Sequence, residues 1–289
     1  MVASPALFER LVDDAGMFPP GNADVADAVT AHQHYQRSWF GPLIGPLVVS
    51  DQKLAEVGRA LAHSDGGRGD QEPIAVSVVN TSGAGGLLSL ARRDVPGLRV
   101  TAVESALRDL DDLTGNAARI VSAAAELSDD VQVFVEIPYA PGWERAAAEV
   151  EAGGLYGKLR TGGLEPADTP STDQLARQLS VLVEADLPFK ATAGLHHAWP
   201  TAGSDPARPR QHGFLNLLSA VAALVEGATV SEAAELLGRS EPRALVENIG
   251  GWSDSESGRV RRRLRSFGCC GVLDPVHDLV SLGLVVEPA

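Results

Sequence analysis

Short runs rich in valine, isoleucine and leucine alternate with longer stretches rich in alanine, leucine and glutamate. Six of the short runs are predicted to be strands: Ile44–Ser50, Ile74–Asn80, Leu98–Glu104, Val131–Pro138, Leu155–Thr161 and Phe189–Gly194. They begin 24 to 34 positions apart, which leaves room for one helix and two loops between neighbouring strands. This rhythm is typical of parallel βαβ units.

The stretches between the strands have the spacing of amphipathic helices. Between Ser171 and Asp186, an apolar face is formed by Leu175, Leu179, Leu182 and Val183, which follow one another at i, i+4, i+7 and i+8. The pattern therefore predicts an α/β fold in which each strand is followed by a helix.

We expect a (β/α)8 TIM-type barrel with extra C-terminal helices, forming a single domain over residues 1–289. A first strand near Met17–Phe18 follows an opening helix, Pro5–Val12, and the last strand is predicted at Phe267–Val272. Several helices over about residues 214–265 form a helical insertion before that last strand. An open doubly wound sheet is the competing architecture.

Composition limits the classes of partner. The formal net charge is −14, so we expect neither nucleic acid nor an anionic membrane surface as a partner. A small-molecule substrate remains, including an anionic one, because local cations can reverse the sign inside one pocket. A homo-oligomer is also compatible with the sequence.

The termini and cysteines point to the cytoplasm. The amino terminus lacks the basic and apolar pattern of a signal peptide, and no apolar run reaches the roughly 20 residues that span a bilayer. The two cysteines, Cys269 and Cys270, are adjacent and imply no disulfide framework. We therefore expect a cytoplasmic protein.

Polar side chains end five successive predicted strands. Residues two apart in a strand share a face, so Val131, Val133 and Val135 face the helices and Glu136 faces the barrel interior. The strand-end residues are Asn80, Glu104, Glu136, Lys158 with Arg160, and Lys190 with Thr192. Barrel enzymes build their sites at this end of the strands. Single members of the set are equally explained as salt bridges at the barrel mouth.

The two lysines carry the most specific chemistry. Burying an unpaired ammonium is expensive, so a lysine that points into a barrel needs a reason. If the strands of Lys158 and Lys190 are neighbours, two cations converge on one pocket and lower the pKa of one amine. We expect Lys158 and Lys190 to be catalytic, with Glu136 or Glu104 moving protons.

A glycine pair follows the first lysine strand. Thr161, Gly162 and Gly163 come directly after Arg160, and their backbone amides could hold a carboxylate or phosphate beside its guanidinium. The glycines are equally explained as a turn. Asn80 and Thr192 complete the substrate ligands predicted at the strand ends.

Histidines offer a second chemistry. His196 and His197 follow the second lysine strand, and His212 precedes Asn216 by about one helical turn. They are predicted to bind substrate, or, with Glu104 or Glu136, one divalent metal ion. The loop Thr201–Arg210 between them is either a lid or a surface insertion. The acid pair Asp13–Asp14 is either a general base or part of the barrel floor.

The segments Lys158–Gly163 and Lys190–Leu195 resemble the two lysine strands of class I aldolases of the deoxyribose-phosphate aldolase type. The resemblance implies that Lys158 is the Schiff-base nucleophile and that Lys190 lowers its pKa, with no cofactor. The chain departs from the family by carrying Arg160 where a small hydroxyl residue is expected, and His196–His197 after the turn.

Three functions follow as hypotheses. The first is a barrel lyase that acts on a small oxygenated or phosphorylated metabolite through an imine on Lys158. The second is a divalent-metal-dependent hydrolase or isomerase that uses His196, His197, His212 and a strand-end glutamate. The third is a non-catalytic barrel that binds a ligand.

Overall fold

The computed structural model describes residues 3–64, 72–201 and 211–288 of the chain. Within these ranges the strands are β1 (Val12–Asp14), β2 (Ile44–Ser50), β3 (Ile74–Asn80), β4 (Leu98–Ala106), β5 (Gln132–Glu136), β6 (Tyr156–Arg160), β7 (Phe189–Thr192) and β8 (Leu264–Cys269). All neighbours pair in parallel, and β8 pairs with β1 to close an eight-strand barrel. The predicted (β/α)8 TIM-type barrel is confirmed, and the open sheet is wrong.

Helices alternate with these strands. They are α1 (Pro5–Phe8), α2 (Val25–Arg37), α3 (Leu54–Ser64), α4 (Gly83–Leu90), α5 (Leu113–Ala124), α6 (Trp143–Ala152), α7 (Thr172–Glu184), α8 (Phe214–Val225), α9 (Val230–Gly238), α10 (Pro242–Ile249), α11 (Asp254–Arg263) and α12 (Leu273–Ser281). Because α8 to α11 lie between β7 and β8, the extra helices predicted before the last strand are present. None of the helices in the described ranges is long and apolar enough to cross a bilayer.

Capping residues fix where several of these helices begin. Ser171, Thr229 and Ser253 each accept a hydrogen bond from the backbone of the residue three positions later, whose side chain bonds back. Such capping boxes satisfy amide groups that have no partner within the helix. Two of these capping boxes, at Thr229 and Ser253, lie between β7 and β8. The sequence of that insertion therefore determines where its own helices begin.

The first predicted strand was misplaced, and the last was predicted three residues too far along the chain. The opening helix ends at Phe8 rather than Val12, and the first strand is Val12–Asp14 rather than Met17–Phe18. This strand is only three residues long, and two of them are acidic, which hides it from a search for apolar runs. The last strand overlaps its prediction but begins at Leu264 and ends at Cys269.

The loop Thr201–Arg210, interpreted above as a lid or a surface insertion, lies outside the described residues except for Thr201, which forms an isolated bridge with Gln211.

Alternation within β5 decides which side chains enter the barrel. Val133 and Val135 are buried in the hydrophobic core. The ring of Phe134 instead lies 5.3 Å from Nζ of Lys190, and Glu136 contacts Lys158. The prediction that the valines and Glu136 take opposite faces is therefore confirmed.

Strand register brings the charged residues to one level. Glu136 pairs with Lys158 on β6, and Lys158 pairs with Lys190 on β7. Side chains of partner residues on neighbouring strands point to the same side of a sheet. Both lysines therefore enter the interior at the height of Glu136. The apolar layers that usually fill such barrels are interrupted here by charge.

Candidate active site

Lysine is scarce in this protein, yet two lysines are placed inside the barrel. The three lysines of the chain are Lys53, Lys158 and Lys190. Lys158 and Lys190 are both buried. A buried ammonium is stable only when carboxylates and hydrogen bonds replace its water. The surrounding side chains supply that replacement.

Glu104 joins the two lysines. Its Oε2 lies 2.7 Å from Nζ of Lys158, and its Oε1 lies 2.7 Å from Nζ of Lys190. The hydroxyl of Ser77, on β3, donates a further hydrogen bond of 2.7 Å to Oε1. Because Glu104 belongs to β4 while the lysines belong to β6 and β7, its carboxylate reaches across the interior of the barrel.

Asp13 completes the inner end of this cluster. Its carboxylate contacts Nζ of Lys190 and accepts a hydrogen bond of 2.8 Å from Ser266. The face of Phe134 covers the same ammonium. Lys190 is therefore held by two carboxylates and an aromatic ring, and it is 1 % exposed.

Glu136 and Arg160 form the outer end. Oε2 of Glu136 lies 3.0 Å from Nζ of Lys158, and its Oε1 accepts a hydrogen bond of 2.9 Å from Nε of Arg160. The named cations are Lys158, Lys190 and Arg160, and the carboxylates are Asp13, Glu104 and Glu136. The cluster therefore carries as many positive as negative formal charges.

Exposure increases from the inner to the outer end of the cluster. The exposed fraction of the side chain is 1 % for Lys190, 7 % for Lys158, 16 % for Glu136 and 47 % for Arg160. Arg160 ends β6, so the more exposed end of the cluster lies at the carboxyl end of the strands, where barrel sites are usually built.

The pKa values of the lysines correct one expectation. Burial lowers the pKa of Lys158, but Glu104 and Glu136 outweigh burial, so the pKa is raised above its ordinary value. The pKa of Lys190 is raised for the same reason by Asp13 and Glu104. We expected Lys190 to lower the pKa of Lys158. Repulsion by Lys190 does lower the pKa of Lys158, but by less than Glu104 and Glu136 raise it.

The neighbouring cations lower the pKa of two of the carboxylates, Glu104 and Glu136. Burial raises the pKa of Glu104 and Glu136, but Lys158 together with Lys190 or Arg160 lowers both below the ordinary value. For Asp13, burial prevails over Lys190 and the pKa is raised. Glu104, which lies between the two lysines, is therefore ionised.

The predicted anion cradle after β6 is occupied by its own neighbours. Oγ1 of Thr161 donates to the backbone oxygen of Ala193 at 2.5 Å. A Cβ on Gly162 would meet Cα of Gly194 at 3.0 Å, and one on Gly163 would collide with Asp168. Gly162 thus allows the loops after β6 and β7 to touch, and Gly163 leaves room for Asp168 within the loop after β6. Their binding role, with that of Thr161, stays a prediction.

Asn80 organises the loop after β3. Its Nδ2 donates to the oxygen of Gly83 at 2.7 Å and to Oγ of Ser105 at 2.9 Å, and its Oδ1 accepts from the amide of Ser82. Thr192 lies beside Lys190 on β7, and its backbone oxygen accepts a 2.9 Å hydrogen bond from Thr161. Substrate binding by Asn80 and Thr192 stays a prediction.

The histidines point to separate partners. Nδ1 of His196 lies 3.0 Å from Asp274, and Nδ1 of His197 lies 3.2 Å from Asp278. Nε2 of His212 lies 2.9 Å from the backbone oxygen of Pro170. Over the described ranges, no group of three or more histidine, cysteine or acidic side chains has the arrangement of a metal site. The metal-dependent alternative stays a prediction without geometric support.

Asn216 connects helices rather than lining the lysine cluster. Its Nδ2 donates to the backbone oxygens of Leu236 and Arg239, each at 2.7 Å, and so ties α8 to the end of α9. This contact explains why an amide is buried in α8. A role in substrate binding stays a prediction.

A cavity of about 380 Å³ opens at the opposite, amino-terminal end of the barrel. Asp13, Lys190 and Phe134 line its inner end, while Arg99 and Arg265 line it near the starts of β4 and β8. The charged cluster therefore faces space at this end as well. Lys158 does not line this cavity.

Several partners of the lysines escaped prediction. Asp13 was noticed for its acidic neighbour, but its strand was misplaced, so its contact with Lys190 was not expected. Ser77 lies on β3 and Ser266 on β8, and only the alternation of faces along a strand signals that they enter the barrel. Serine is too common in loops for that signal to have been decisive.

Comparison with known proteins assigns the chain to no family: no protein-family model matches it, and none of the curated proteins searched matches it either.

Proposed function

We propose that the protein is an enzyme of the lyase type that acts on a small carbonyl compound through an imine on Lys158. The observation that carries the proposal is the position of Nζ of Lys158 between Glu104 and Glu136, at 2.7 and 3.0 Å. An amine between two carboxylates has groups at hand to remove and return its protons. The local resemblance to class I aldolases agrees with this assignment.

The resting state is the ammonium form, because both neighbouring carboxylates raise the pKa of Lys158. Nucleophilic attack therefore requires a proton to leave Nζ first. Glu136 is the suitable acceptor, since Glu104 is fully buried and remains paired with Lys190. Lys190 acts as a positioning residue that keeps Glu104 ionised and in place.

The contact between Arg160 and Glu136 controls how readily Glu136 accepts that proton. Arg160 is half exposed and shares Glu136 with Lys158. An anionic group on the substrate competes with Glu136 for the guanidinium. When Arg160 turns to the substrate, Glu136 loses one of the cations that lower its pKa and becomes a better base. Binding of an anionic carbonyl compound thus favours the neutral amine.

The covalent step begins once Nζ is a neutral amine. The lone pair of Nζ attacks the carbonyl carbon and forms a C–N bond while the C=O π bond breaks. The oxygen takes the proton that the nitrogen gives up, which yields a carbinolamine. Loss of water, with a proton returned from Glu136, yields the protonated imine. The electron pair of a C–C or C–H bond at the adjacent carbon then moves into this cation to form an enamine. When a C–C bond breaks, the other fragment leaves as an aldehyde whose hydroxyl proton goes to Glu136, and when a C–H bond breaks, Glu136 takes the proton.

Borohydride trapping tests the proposal. The protein is incubated with small aldehydes, ketones and keto acids, reduced with borohydride, and mapped by peptide mass spectrometry. We expect an adduct on Lys158 and none on Lys53 or Lys190. The background is low because the chain has only three lysines.

Two variants serve as controls. Lys158→Arg keeps the charge between Glu104 and Glu136 but removes the amine, so it should abolish trapping without unfolding the protein. Lys53→Arg, at a surface helix start, should leave trapping unchanged. Absence of an adduct with every carbonyl compound, or equal labelling of Lys53 and Lys158, would contradict the lyase and favour a barrel that only binds a ligand.

A further inference from the structure

Three side chains form a line at the carboxyl end of the barrel, separate from the lysine cluster. Sγ of Cys270 lies 3.2 Å from Nε2 of His196. Nδ1 of the same ring lies 3.0 Å from Oδ2 of Asp274. This is the order nucleophile, base and orienting carboxylate that activates thiols and hydroxyls in catalysis.

The strand pairing explains why these residues meet. His196 lies in the turn after β7, and Cys270 directly follows β8, which pairs with β7 in parallel. Asp274 belongs to the first turn of α12. The chain thus delivers the ring and the thiol from two adjacent strand ends, and the carboxylate from the helix that follows.

Gly271 leaves the space that the carboxylate needs. A Cβ at this position would lie 2.8 Å from Oδ2 of Asp274 and 3.6 Å from Nδ1 of His196. Any larger residue at this position would displace the side chain that holds the ring. The geometry therefore depends on four neighbouring positions rather than on one isolated cysteine.

The arrangement does not fit a metal site. Cys270 contacts Nε2, whereas Asp274 contacts Nδ1, so the thiol and the carboxylate lie at opposite edges of the imidazole. One metal ion bound to a ring nitrogen could not reach both. A linear relay of hydrogen bonds through the ring uses all three groups.

The two cysteines differ in environment. Cys269 is buried, its Sγ lies 3.8 Å from Nδ1 of His196, and burial raises the pKa of its thiol. Cys270 is partly exposed and contacts the nitrogen on the far side of the ring. Cys270 is therefore the thiol that an external reagent can reach, and Cys269 is a matched internal control.

The surroundings make the ring of His196 more basic. Hydrogen bonds to Cys269 and Cys270, helped by Asp274 and opposed by burial, raise the pKa of His196 to about 11. Cys270 also precedes the amino terminus of the nine-residue α12, and helix amino termini stabilise thiolates.

We propose that Cys270 is a nucleophile for acyl transfer from activated small acyl compounds such as thioesters or aryl esters. His196 acts as the base, and Asp274 is a positioning residue. The proton of the thiol moves to Nε2 as Sγ forms a bond to the carbonyl carbon, the bond to the leaving group breaks, and the leaving group takes that proton from Nε2. Water then attacks the thioester, His196 accepts its proton, and a carboxylic acid and the free thiol are released. This site is independent of Lys158.

The test uses p-nitrophenyl acetate with the full chain. We expect a burst of about one nitrophenolate per protein molecule and an acetyl group on Cys270, located by peptide mass spectrometry. Cys270→Ala should abolish the burst, whereas Cys269→Ala should retain it. An acetyl group found on any other residue, or no burst, would overturn the proposal.

Iodoacetamide kinetics isolate the roles of the other residues. We expect His196→Gln to lower the alkylation rate of Cys270 at pH 7 about tenfold or more. Asp274→Asn and Gly271→Ala should each shift the pH profile of alkylation toward higher pH, which a merely structural role would not do. Profiles that coincide with that of the unchanged protein would contradict the relay. Lys53→Arg, which lies outside both sites, should leave burst and alkylation unchanged. Borohydride trapping on Lys158 is a separate measurement, so the imine proposal can fail while this one stands.

Discussion

The carboxylate of Glu104 contacts the ammonium of Lys158 at 2.7 Å across the interior of the barrel. Its second oxygen is at the same distance from Lys190. One buried anion therefore contacts two buried cations that belong to adjacent strands, and Asp13 and Glu136 supply the remaining negative charge. The barrel tolerates its lysines because of Glu104, and both stability and chemistry depend on it.

Replacing Glu104 by glutamine should be strongly destabilising. The change preserves shape but leaves the two lysines with one carboxylate fewer, and an uncompensated buried charge costs about 3–5 kcal/mol. The measurement is the free energy of unfolding in urea. Glu144→Gln, at an exposed position of α6, is the control and should change it by less than about 0.5 kcal/mol. A loss below about 1 kcal/mol for Glu104→Gln would show that water or rearrangement replaces the carboxylate.

Lys190 and Asp13 should show coupled effects. Lys190→Met leaves Asp13 and Glu104 without a shared cation, and Asp13→Asn leaves Lys190 underpaired. The double variant restores charge balance, so its loss of unfolding free energy should be smaller than the sum of the single losses by about 1–3 kcal/mol. Additive losses would mean that the two side chains stabilise the barrel independently.

The sequence was sufficient for the architecture because each strand is followed by a helix at regular spacing, and β5 shows its two faces by simple alternation of Val133, Phe134, Val135 and Glu136. It failed at β1, where Asp13 and Asp14 occupy most of a three-residue strand. A strand this short shows no alternation, so its acidic residues are recognisable as interior only when their cationic partners are known. Those partners lie 177 positions away along the chain in the case of Asp13 and Lys190.

The site was predicted in part for a related reason. Register between neighbouring strands follows from spacing, so the convergence of Lys158 and Lys190 could be expected. The direction of their pKa shifts could not, because it depends on how closely Glu104 and Glu136 approach. Likewise, His196 was noticed, but its partners Cys270 and Asp274 come from a strand end and a helix whose boundaries were uncertain.

Trapping on Lys158 should become faster as the pH rises. Its folded-state pKa lies above the ordinary 10.5, so the ammonium form dominates at neutral pH and the amine fraction grows with each pH unit. We expect the initial rate of adduct formation to increase about tenfold per unit between pH 7 and 9 with a neutral aldehyde. A rate that is constant over this range would mean that the amine is already neutral at pH 7, contrary to the paired geometry.

Arg160 should select for charge on the carbonyl compound. Arg160→Leu removes the exposed cation at the mouth of the cluster, while Lys158 keeps its contacts with Glu104 and Glu136. Trapping with glyoxylate should then fall about tenfold or more, because a carboxylate loses its two-pronged partner. Glycolaldehyde, similar in size but uncharged, should change by less than about threefold, since it gains nothing from the guanidinium. The ratio of the two initial rates is the measurement, and Arg160→Lys should restore part of it. An equal fall for both compounds would instead mean that Arg160 acts by holding Glu136 in place rather than by binding the substrate.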